Sequence, residues 1–402
     1  MDFFIARQPI FDRNKDVFAY ELLFRSGPDN YFELRNKQKE SGEVVTNSLL
    51  YIGLEELTSG KKACINFAHN LLEDDVATVL PSSMMIVEIL DEFEPDEQFL
   101  AECKKLKDGG YTLAFAVETL QDYTDPIQDL ADIIKVDFSE TPSPERKEIA
   151  NKFDSGHIQL LAEKVDTIED FNQANKLGYT YFQGYFFDKP EFNGSGTAIP
   201  EYKINYLRML QEIHQPEIEY SELENVIRRD LDLTYKLLRF INSSYFGVIT
   251  EVRSIKQALV LLGFDEIRKW VSLTLLDNLA KDKPSELIRQ SILRAKFCEE
   301  IAERVGKSEE SAEFFLMGMF TAINALINKP MAQILAELPL ANDMKVALLG
   351  RNNRYRKVLE AVLAYERGDW YQFDHYAKEL KLDSSEVPAI YNAALQWVDQ
   401  VS

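Results

Sequence analysis

Polar residues of the kinds that bind metal ions and phosphate recur along the first half of the chain. Five short apolar segments are typical of strands, and each carries one polar residue near its C-terminal end: Asn66, Glu88, Lys135, Glu163 and Gln183. Burying a polar group in a protein core costs free energy unless the group finds a partner. Polar residues at equivalent positions of successive strands therefore predict a functional site.

The residue types in this series suit a divalent cation beside a phosphate group. Carboxylate and amide oxygens are ligands that Mg²⁺ and Mn²⁺ prefer, and the ammonium group of Lys135 could neutralise charge or deprotonate a water. A further strand, FAYELLFR, places Glu21 and Arg25 on one face, because side chains alternate along a strand. A guanidinium can hold phosphate through two hydrogen bonds, so the set predicts a metal-dependent phosphate site.

One strand of the series departs from this pattern. The segment YTLAFAV, residues 111–117, carries only Ala116 and Val117 where the other strands carry a polar side chain. Neither side chain has an atom that can bind a cation. This gap therefore bears directly on whether the site retains its chemistry.

The elements that must position these residues alternate in type as far as residue 190. Segments of helical periodicity separate the strands, and helices are predicted at 41–57, 97–109, 118–130, 143–154 and 168–178. Such alternation indicates a parallel sheet or a βα barrel. In a barrel of this kind the functional residues lie at the C-terminal ends of the strands, where the polar residues of this chain fall.

The chain is predicted to form two domains, an α/β barrel followed by an all-α domain. Residues 1–190 form the barrel, and residues 191–203, in a stretch that collects Gly, Ser and Pro, form a linker. Beyond the linker the apolar residues follow helical spacing throughout. Residues 204–402 are therefore predicted to form one helical domain.

Composition and charge narrow the classes of partner. The 402 residues include 45 Lys and Arg against 67 Asp and Glu, a net charge of −22 that disfavours nucleic acid and anionic membranes as partners. The basic run RNNRYRK at 351–357 is interpreted as a solvated helix start rather than a nucleic-acid site. Three cysteines without a CxxC pair, no signal peptide pattern and no apolar run of membrane length predict a reducing, cytoplasmic location.

The motifs of the first domain, taken in order, resemble those of EAL domains, which hydrolyse the bacterial second messenger cyclic di-GMP. ELLFR at 21–25 is similar to the E-x-L-x-R signature of that family. QPI at 8–10, KVD at 135–137, AEKVD at 162–166 and QGYFFDKP at 183–190 are similar to further motifs of the family. The resemblance implies a TIM-like barrel with one strand reversed.

The same resemblance implies roles for individual residues. The matching positions are Glu21, Asn66 and Glu88 for metal ligands, Gln8, Arg25 and Gln183 for nucleotide binding, and Glu21, Lys135 and Glu163 for catalytic residues. The implied cofactor is Mg²⁺ or Mn²⁺ if the barrel site still functions. If the site has lost its function, no cofactor is expected.

The resemblance breaks down at the D-D-F-G-T-G-Y-S-S segment of the family, which is replaced by AVETLQD at 116–122. In the family the two aspartates help to hold the catalytic metals and the glycine-rich loop supports dimerisation, and here Ala116 and Val117 stand at the aspartate positions. Glu118 lies two positions beyond Ala116 and could replace one carboxylate. Lys164 stands where the family has glycine. Hydrolysis is therefore predicted to be lost.

Two segments of the second half resemble the HDOD domain, a helical relative of the metal-dependent HD phosphohydrolases. They are DLDLTYKLLRFINSSYFG at 230–247 and SIKQALVLLGFDEIRKW at 254–270. Further along, Thr321 and Ala322 stand where an HD hydrolase has its His and Asp. None of the four histidines of the chain stands next to a matching Asp, so no HD metal site is predicted, and the histidines are interpreted as surface or capping residues.

Together the two resemblances identify an EAL–HDOD protein of the YuxH type. The main hypothesis is a non-catalytic bacterial signalling regulator that acts on unidentified signalling proteins through its HDOD domain. The family implies a link to motility or biofilm formation, and the polar residues of the barrel would persist as a buried ion-pair network. Two alternatives stay open: a cyclic di-GMP receptor without turnover, and a weak metal-dependent cyclic di-GMP phosphodiesterase.

Overall fold

A computed structural model gives the fold of the chain. It describes residues 3–26, 53–67, 76–89, 96–117, 125–153, 156–189, 201–215, 217–242 and 252–401. The chain divides into two compact units, the first made of residues 1–187 together with 360–402 and the second of residues 188–359. No helix in the described ranges is long and apolar enough to cross a membrane.

Eight strands form a closed barrel in the first unit and follow one another around it in sequence order. They are β1 Phe3–Phe11, β2 Val17–Ser26, β3 Lys62–Phe67, β4 Met85–Ile89, β5 Thr112–Val117, β6 Ile133–Asp137, β7 Gln159–Glu163 and β8 Tyr181–Gln183. β1 runs antiparallel to both of its neighbours, β2 and β8, and the other adjacent pairs are parallel. The predicted barrel with one reversed strand is confirmed.

Short helices connect the strands of the barrel. Those in the described residues are α1 Leu54–Thr58, α2 Glu97–Asp108, α3 Asp125–Leu130, α4 Ser143–Phe153 and α5 Ile168–Leu177. Side-chain caps begin two of them, since Asp96 accepts a hydrogen bond from the Phe99 amide and Thr167 accepts one from the Asp170 amide. The helices predicted at 41–57 and 118–130 lie in part outside the described residues.

Apolar side chains fill the middle of the barrel. One residue from each strand contributes to a buried layer: Ile10, Ala19, Cys64, Ile86, Ala114, Ile133, Leu161 and Tyr181. Side chains alternate along a strand, so the residue two positions nearer the barrel mouth also faces the interior. The mouth is the end of the barrel at which the seven parallel strands finish. The next inner layer toward it contains the candidate site.

Helices make up the second unit. They are α6 Glu201–Ile213, α7 Tyr220–Arg229, α8 Leu231–Ile241, α9 Ile255–Leu262, α10 Phe264–Leu279, α11 Ser285–Arg304, α12 Ser311–Phe320, α13 Ile323–Ile327, α14 Met331–Glu337 and α15 Asn342–Leu348. The next helix, α16 Arg354–Glu366, contains the division between the units, and α17 Trp370–Leu380 and α18 Val387–Val401 belong to the barrel unit. The predicted all-helical region is confirmed.

Several residues of the HDOD-like motif shape helix ends in the second unit. Asp230 caps α8 by accepting hydrogen bonds from the Asp232 and Leu233 amides, at 2.8 and 3.2 Å. Ser254 caps α9 in the same way. At the end of α8, the Asn242 side chain accepts a hydrogen bond from the Val252 amide at 2.7 Å and donates one to the Val252 carbonyl at 2.8 Å. These motif residues are explained by local structure.

The last helices of the chain group with the barrel, which differs from the predicted boundaries. Residues 204–402 are predicted as one helical domain, whereas residues 360–402 belong to the barrel unit. Helical periodicity identifies an apolar face but not the surface that covers it. The end of the predicted linker differs as well, because residues 201–203 begin α6. The linker positions 191–200 lie outside the described residues.

Candidate functional site

Eight inward positions, one on each strand, form a ring next to the apolar layer of the barrel; we call it the polar ring. Each position lies two residues nearer the mouth than a member of that layer: Gln8, Glu21, Asn66, Glu88, Ala116, Lys135, Glu163 and Gln183. All are polar except Ala116. The barrel therefore brings together the residues predicted as metal ligands and catalytic groups, along with Gln8 and Gln183.

Lys135 is the centre of the ion pairs in the polar ring. Its Nζ lies 2.5 Å from Glu88 Oε2, 2.6 Å from Glu163 Oε1 and 3.6 Å from Glu21 Oε2. The lysine is 1% exposed, so solvent does not screen these interactions. Strand alternation alone predicts the shared face, but the closure of β2, β4, β6 and β7 around one interior is what brings the four groups into contact.

Amide side chains hold Glu21 from two sides. Gln183 Nε2 donates to Glu21 Oε2 at 2.6 Å, and Asn66 Nδ2 donates to Glu21 Oε1 at 3.1 Å. The oxygens of the same two amides, Asn66 Oδ1 and Gln183 Oε1, are buried and accept no hydrogen bond. Two unsatisfied acceptors beside the carboxyl cluster could receive a hydrogen bond or a cation.

The pKa values in the polar ring follow from three carboxyl groups placed around one ammonium group. Burial raises the pKa of Glu88 to about 8, with Glu21 and Glu163 acting in the same direction and Lys135 opposing them. Burial also raises the pKa of Glu163. Burial alone would lower the pKa of Lys135, but the three carboxylates outweigh it and the pKa rises well above its ordinary value. The cluster therefore favours the charged form of Lys135 and shifts the ionisation of Glu88 to higher pH.

Ala116 is the apolar position of the polar ring. It lies on β5, where its backbone partner is Lys135 on β6, and the following residue, Val117, is paired with Val136. A methyl group provides neither a ligand for a cation nor a partner for an ammonium group. Glu118, considered as a replacement carboxylate, lies outside the described residues.

The residues present match a cation site only in part. Glu21, Asn66 and Glu88 lie on three successive strands, and the free Asn66 Oδ1 is an oxygen of the type Mg²⁺ binds. Lys135 nevertheless holds Glu88, and β5 contributes no ligand at Ala116. Across the described ranges no group of three or more His, Cys, Asp and Glu side chains is arranged to hold a metal. These residues do not complete the metal site that the family resemblance implies.

The three predicted nucleotide-binding residues are in two places. Gln183 Nε2 lies 3.3 Å from Gln8 Oε1, so these two glutamines are neighbours at the polar ring. Arg25 lies four positions beyond Glu21 along β2, and its guanidinium makes a two-point ion pair with Asp374 of α17, at 2.8 and 2.5 Å. No motif in the sequence marks Asp374 as a partner of Arg25. Sequence patterns do not predict this contact of Arg25.

Lys164 stands where the family has glycine, and its backbone adopts a conformation that glycine favours. Its φ of 51° lies in the left-handed region, which glycine adopts at low cost. The lysine Nζ lies 2.6 Å from Asp137 Oδ2. Burial opposes ionisation of Asp137, but hydrogen bonds from Lys164 and Ser139 outweigh it and lower the pKa of the carboxyl group. The ion pair accompanies the less favourable backbone conformation.

The second unit carries a guanidinium where an HD hydrolase would bind metal. Thr321 Oγ1 accepts a hydrogen bond from Arg294 Nη1 at 2.6 Å and donates one to the Gly318 carbonyl at 2.7 Å. Ala322, the second position, is buried. A cation placed beside Thr321 would be repelled by Arg294, so the geometry here is unsuited to metal binding.

One histidine departs from the predicted surface or capping role. His214, which directly follows α6, is buried, and its Nε2 lies 3.0 Å from Ser272 Oγ. Burial, with the nearby Arg268 charge, lowers the pKa of His214 to about 3, so the ring is neutral. Ser272 Oγ also donates to the Arg268 carbonyl of its own helix. The pair is a hydrogen-bonded core contact.

Known proteins are similar to this chain over nearly its whole length, and a known domain family matches part of its second half. The HDOD domain family matches residues 199–347. The protein YuxH of Bacillus subtilis (strain 168), whose function is uncharacterized, is 34% identical over 405 residues, which is 99% of this chain and 98% of YuxH. CdgJ of Vibrio cholerae serotype O1, described as a cyclic di-GMP phosphodiesterase, is 31% identical over 402 residues, which is 99% of this chain and 93% of CdgJ.

A solved structure resembles part of the chain. It is a standalone EAL protein of Vibrio cholerae O395 in its c-di-GMP-bound form, 24% identical, and the match covers 48% of this chain and 93% of that protein. The TM-score is 0.38, too low to support a conclusion about this chain.

Proposed function

Because the chain belongs to the EAL–HDOD family, we propose that it is a non-catalytic signalling regulator that acts through protein partners. The observation that carries the proposal is Ala116, the apolar position among the eight of the polar ring. In a two-metal mechanism the cations generate the nucleophile and stabilise the leaving oxygen. A site without a ligand on β5 lacks part of what holds those cations.

The charged residues of the polar ring are paired with one another or with its amide groups. Lys135 contacts Glu88, Glu163 and Glu21, and Glu21 accepts hydrogen bonds from Gln183 and Asn66. A buried network with its charges paired in this way can persist without a ligand. We interpret it as a structural remnant of a hydrolytic site.

A second candidate function is a cyclic di-GMP receptor without turnover. CdgJ is named for its action on cyclic di-GMP, and the resemblance to EAL domains implies nucleotide binding by Gln8, Arg25 and Gln183. The unsatisfied Gln183 Oε1 supports the idea that this part of the barrel can still accept a ligand hydrogen bond. The third candidate is a weak metal-dependent phosphodiesterase, an activity that we expect this chain not to have.

A partner for the helical unit is supported by large apolar side chains that stay exposed on it. Leu231 and Tyr235 lie one turn apart on α8 and are 84% and 63% exposed, and Val260 on α9 is 75% exposed. Exposed apolar groups of this kind mark protein interaction surfaces. We place this regulator in the cytoplasm, with signalling proteins as its partners and motility or biofilm formation as its output.

Hydrolysis is tested on the purified full chain. Cyclic di-GMP is incubated with the protein and Mg²⁺ or Mn²⁺, and the linear dinucleotide is quantified by chromatography. The wild type is expected to form none, and Ala116→Asp with Val117→Asp provides the matched variant in which the aspartate pair is restored. Product formation by the wild type that Glu21→Ala abolishes would overturn the proposal and favour the phosphodiesterase.

A further inference from the structure

The C-terminal segment of the chain lies against the interior side of the β1–β2 pair beyond the polar ring. Strand alternation gives Phe4 on β1 and Leu23 and Arg25 on β2 the same inward face as Gln8 and Glu21. Each of these three residues contacts the segment from Tyr365 to Asp374, which we call the C-terminal cap. The cap contains the end of α16 and the start of α17.

Aromatic packing fixes the cap on β1. The Phe4 ring lies 6.3, 6.0 and 5.9 Å, centroid to centroid, from the rings of Tyr365, Trp370 and Phe373. Tyr365 and Phe373 are fully buried. Aromatic groups dominate the energetics of such interfaces, so the cap is bound to the barrel by apolar contact as well as by charge.

The backbone of the cap approaches the strands closely at Gly368. A Cβ atom built on Gly368 would lie 2.7 Å from Leu23 Cδ1, closer than side chains permit, and the glycine has a φ of 67°. One residue earlier, the Arg367 carbonyl accepts a hydrogen bond from Gln8 Nε2 at 3.2 Å. The cap thus binds Gln8, one of the residues for which the family resemblance implies nucleotide binding.

Asp374 pairs with Arg25 in the geometry that a guanidinium uses for phosphate. Arg25 Nη1 lies 2.8 Å from Asp374 Oδ1, and Nη2 lies 2.5 Å from Oδ2. Nη1 also lies 3.4 Å from the Trp370 carbonyl. Two parallel hydrogen bonds from one guanidinium to two oxygens are the common mode for carboxylate and phosphate alike. Solvent is largely excluded from the ion pair, because Arg25 is 1% exposed.

We propose that the C-terminal cap is an autoinhibitory element, in which the Asp374 carboxylate occupies the place on Arg25 that a phosphate of a cyclic dinucleotide would take. This proposal rests on the second candidate function, a cyclic di-GMP receptor without turnover. Two anions cannot share this guanidinium without strong repulsion, so the nucleotide and the closed cap exclude each other. Binding then requires the cap to leave, and the apparent affinity falls by the fraction of molecules that are open.

A disulfide can lock the cap closed, because Leu23 and Gly368 are close enough to be joined. The Cβ built on Gly368 lies 3.3 Å from Leu23 Cβ, near the ~3.5–4.5 Å spacing of disulfide-bonded residues. Leu23→Cys with Gly368→Cys forms the lock on oxidation and releases it on reduction. The three native cysteines are buried, so they do not compete for the bond. Leu23→Cys alone, treated with the same oxidant, is the control for oxidation.

Asp374→Ala opens the cap by removing the competing carboxylate. Its matched control is Glu379→Ala, which removes the same charge from the exposed side of the same helix, where Glu379 lies near His375. The probe is cyclic di-GMP, and its binding to each full-length variant is measured by titration calorimetry in the oxidised and the reduced state. Asp374→Asn, which keeps the size of the side chain and removes its charge, answers the question if Asp374→Ala is unstable.

The expected result is an affinity about tenfold higher for Asp374→Ala than for the wild type and about tenfold lower for the oxidised lock than for its reduced form. Glu379→Ala should match the wild type. Equal binding by the locked and reduced forms would overturn the cap proposal while the receptor function stands. No binding by any variant would overturn both, and the hydrolysis assay would still decide separately whether the protein is an enzyme.

Discussion

Ala116 is the backbone partner of Lys135 across β5 and β6, so the apolar position of the polar ring lies beside its central cation. Lys135 draws its carboxylate partners from β2, β4 and β7, and none from the strand next to it on the β5 side. An aspartate at Ala116 would add a fourth carboxylate to this interior. Among the described residues, the polar ring thus combines a charge network around Lys135 with a β5 position that carries no cation ligand.

Adding a carboxylate on β5 should strengthen cation binding. Ala116→Asp adds a carboxylate on the inward face of the polar ring, and we expect Mn²⁺ to bind the variant at least about tenfold more tightly than the wild type. Titration calorimetry of the full chain measures the difference. Ala116→Asn is the matched control, because it adds an amide of the same shape without the charge. Equal Mn²⁺ affinity in the wild type and Ala116→Asp would show that β5 does not limit the site.

Removing the central lysine should destabilise the barrel strongly. Lys135→Met keeps most of the volume but leaves buried carboxylates without their cation, which costs about 3–5 kcal/mol of the free energy of unfolding. Urea unfolding followed by circular dichroism gives the change in midpoint. The control is Lys164→Ala, which removes an exposed ion pair to Asp137 and should cost less than about 1 kcal/mol. Similar losses for both variants would mean that the Lys135 network contributes little.

Stability should fall as pH rises across the neutral range because of Glu88. Its pKa rises from 4.5 in the free group to about 8 in the folded chain. Between these values the folded chain binds more protons than the unfolded chain, so this contribution is complete below pH ~4.5 and is lost as pH rises through ~8. The slope from one proton is at most about 1.4 kcal/mol per pH unit.

Glu88→Gln tests this pH dependence, because the amide resembles the protonated acid and does not titrate. The free energy of unfolding of the wild type should decrease between pH ~5.5 and ~7.5, whereas the variant should show a smaller slope. Glu163, whose pKa is also raised, accounts for part of what remains. A slope that is identical in the two proteins would show that Glu88 does not cause the pH dependence.

Gly184, which follows the last strand of the barrel, should tolerate no side chain. A Cβ atom there would lie 2.1 Å from the Val165 carbonyl oxygen, a backbone atom that cannot move away as a side chain could. We expect Gly184→Ala to lower the free energy of unfolding by more than about 2 kcal/mol. Gly156→Ala is the control, since its Cβ would meet nothing closer than 3.7 Å. Thermal unfolding of both variants measures the contrast, and a wild-type midpoint for Gly184→Ala would contradict it.

Much of the barrel could be predicted from local patterns. The alternation of strands and helices indicates the fold class, and three predicted helices begin where α2, α4 and α5 begin. The positions of the polar residues also follow from strand periodicity, because residues two apart share a face whatever the rest of the fold does. The gap at Ala116 is visible in the sequence for the same reason.

The pairing of groups within the site could not be predicted in this way. The three carboxyl groups around Lys135 come from strands that are far apart in sequence, and only closure of the barrel brings them within reach of one ammonium group. The raised pKa of Glu88 follows from that closure and from burial. Neither the closure of the barrel nor the burial of Glu88 can be deduced from a short segment of the sequence.

The sequence by itself determined which side chains face the interior of the barrel and that β5 brings no ligand there, since both depend on residue type and a period of two. The tertiary structure alone decided that α17 belongs to the barrel unit and that Asp374 meets Arg25, 349 residues away in the chain. An apolar helix face can be covered by any complementary surface. Which surface covers it is settled by the packing of the whole unit.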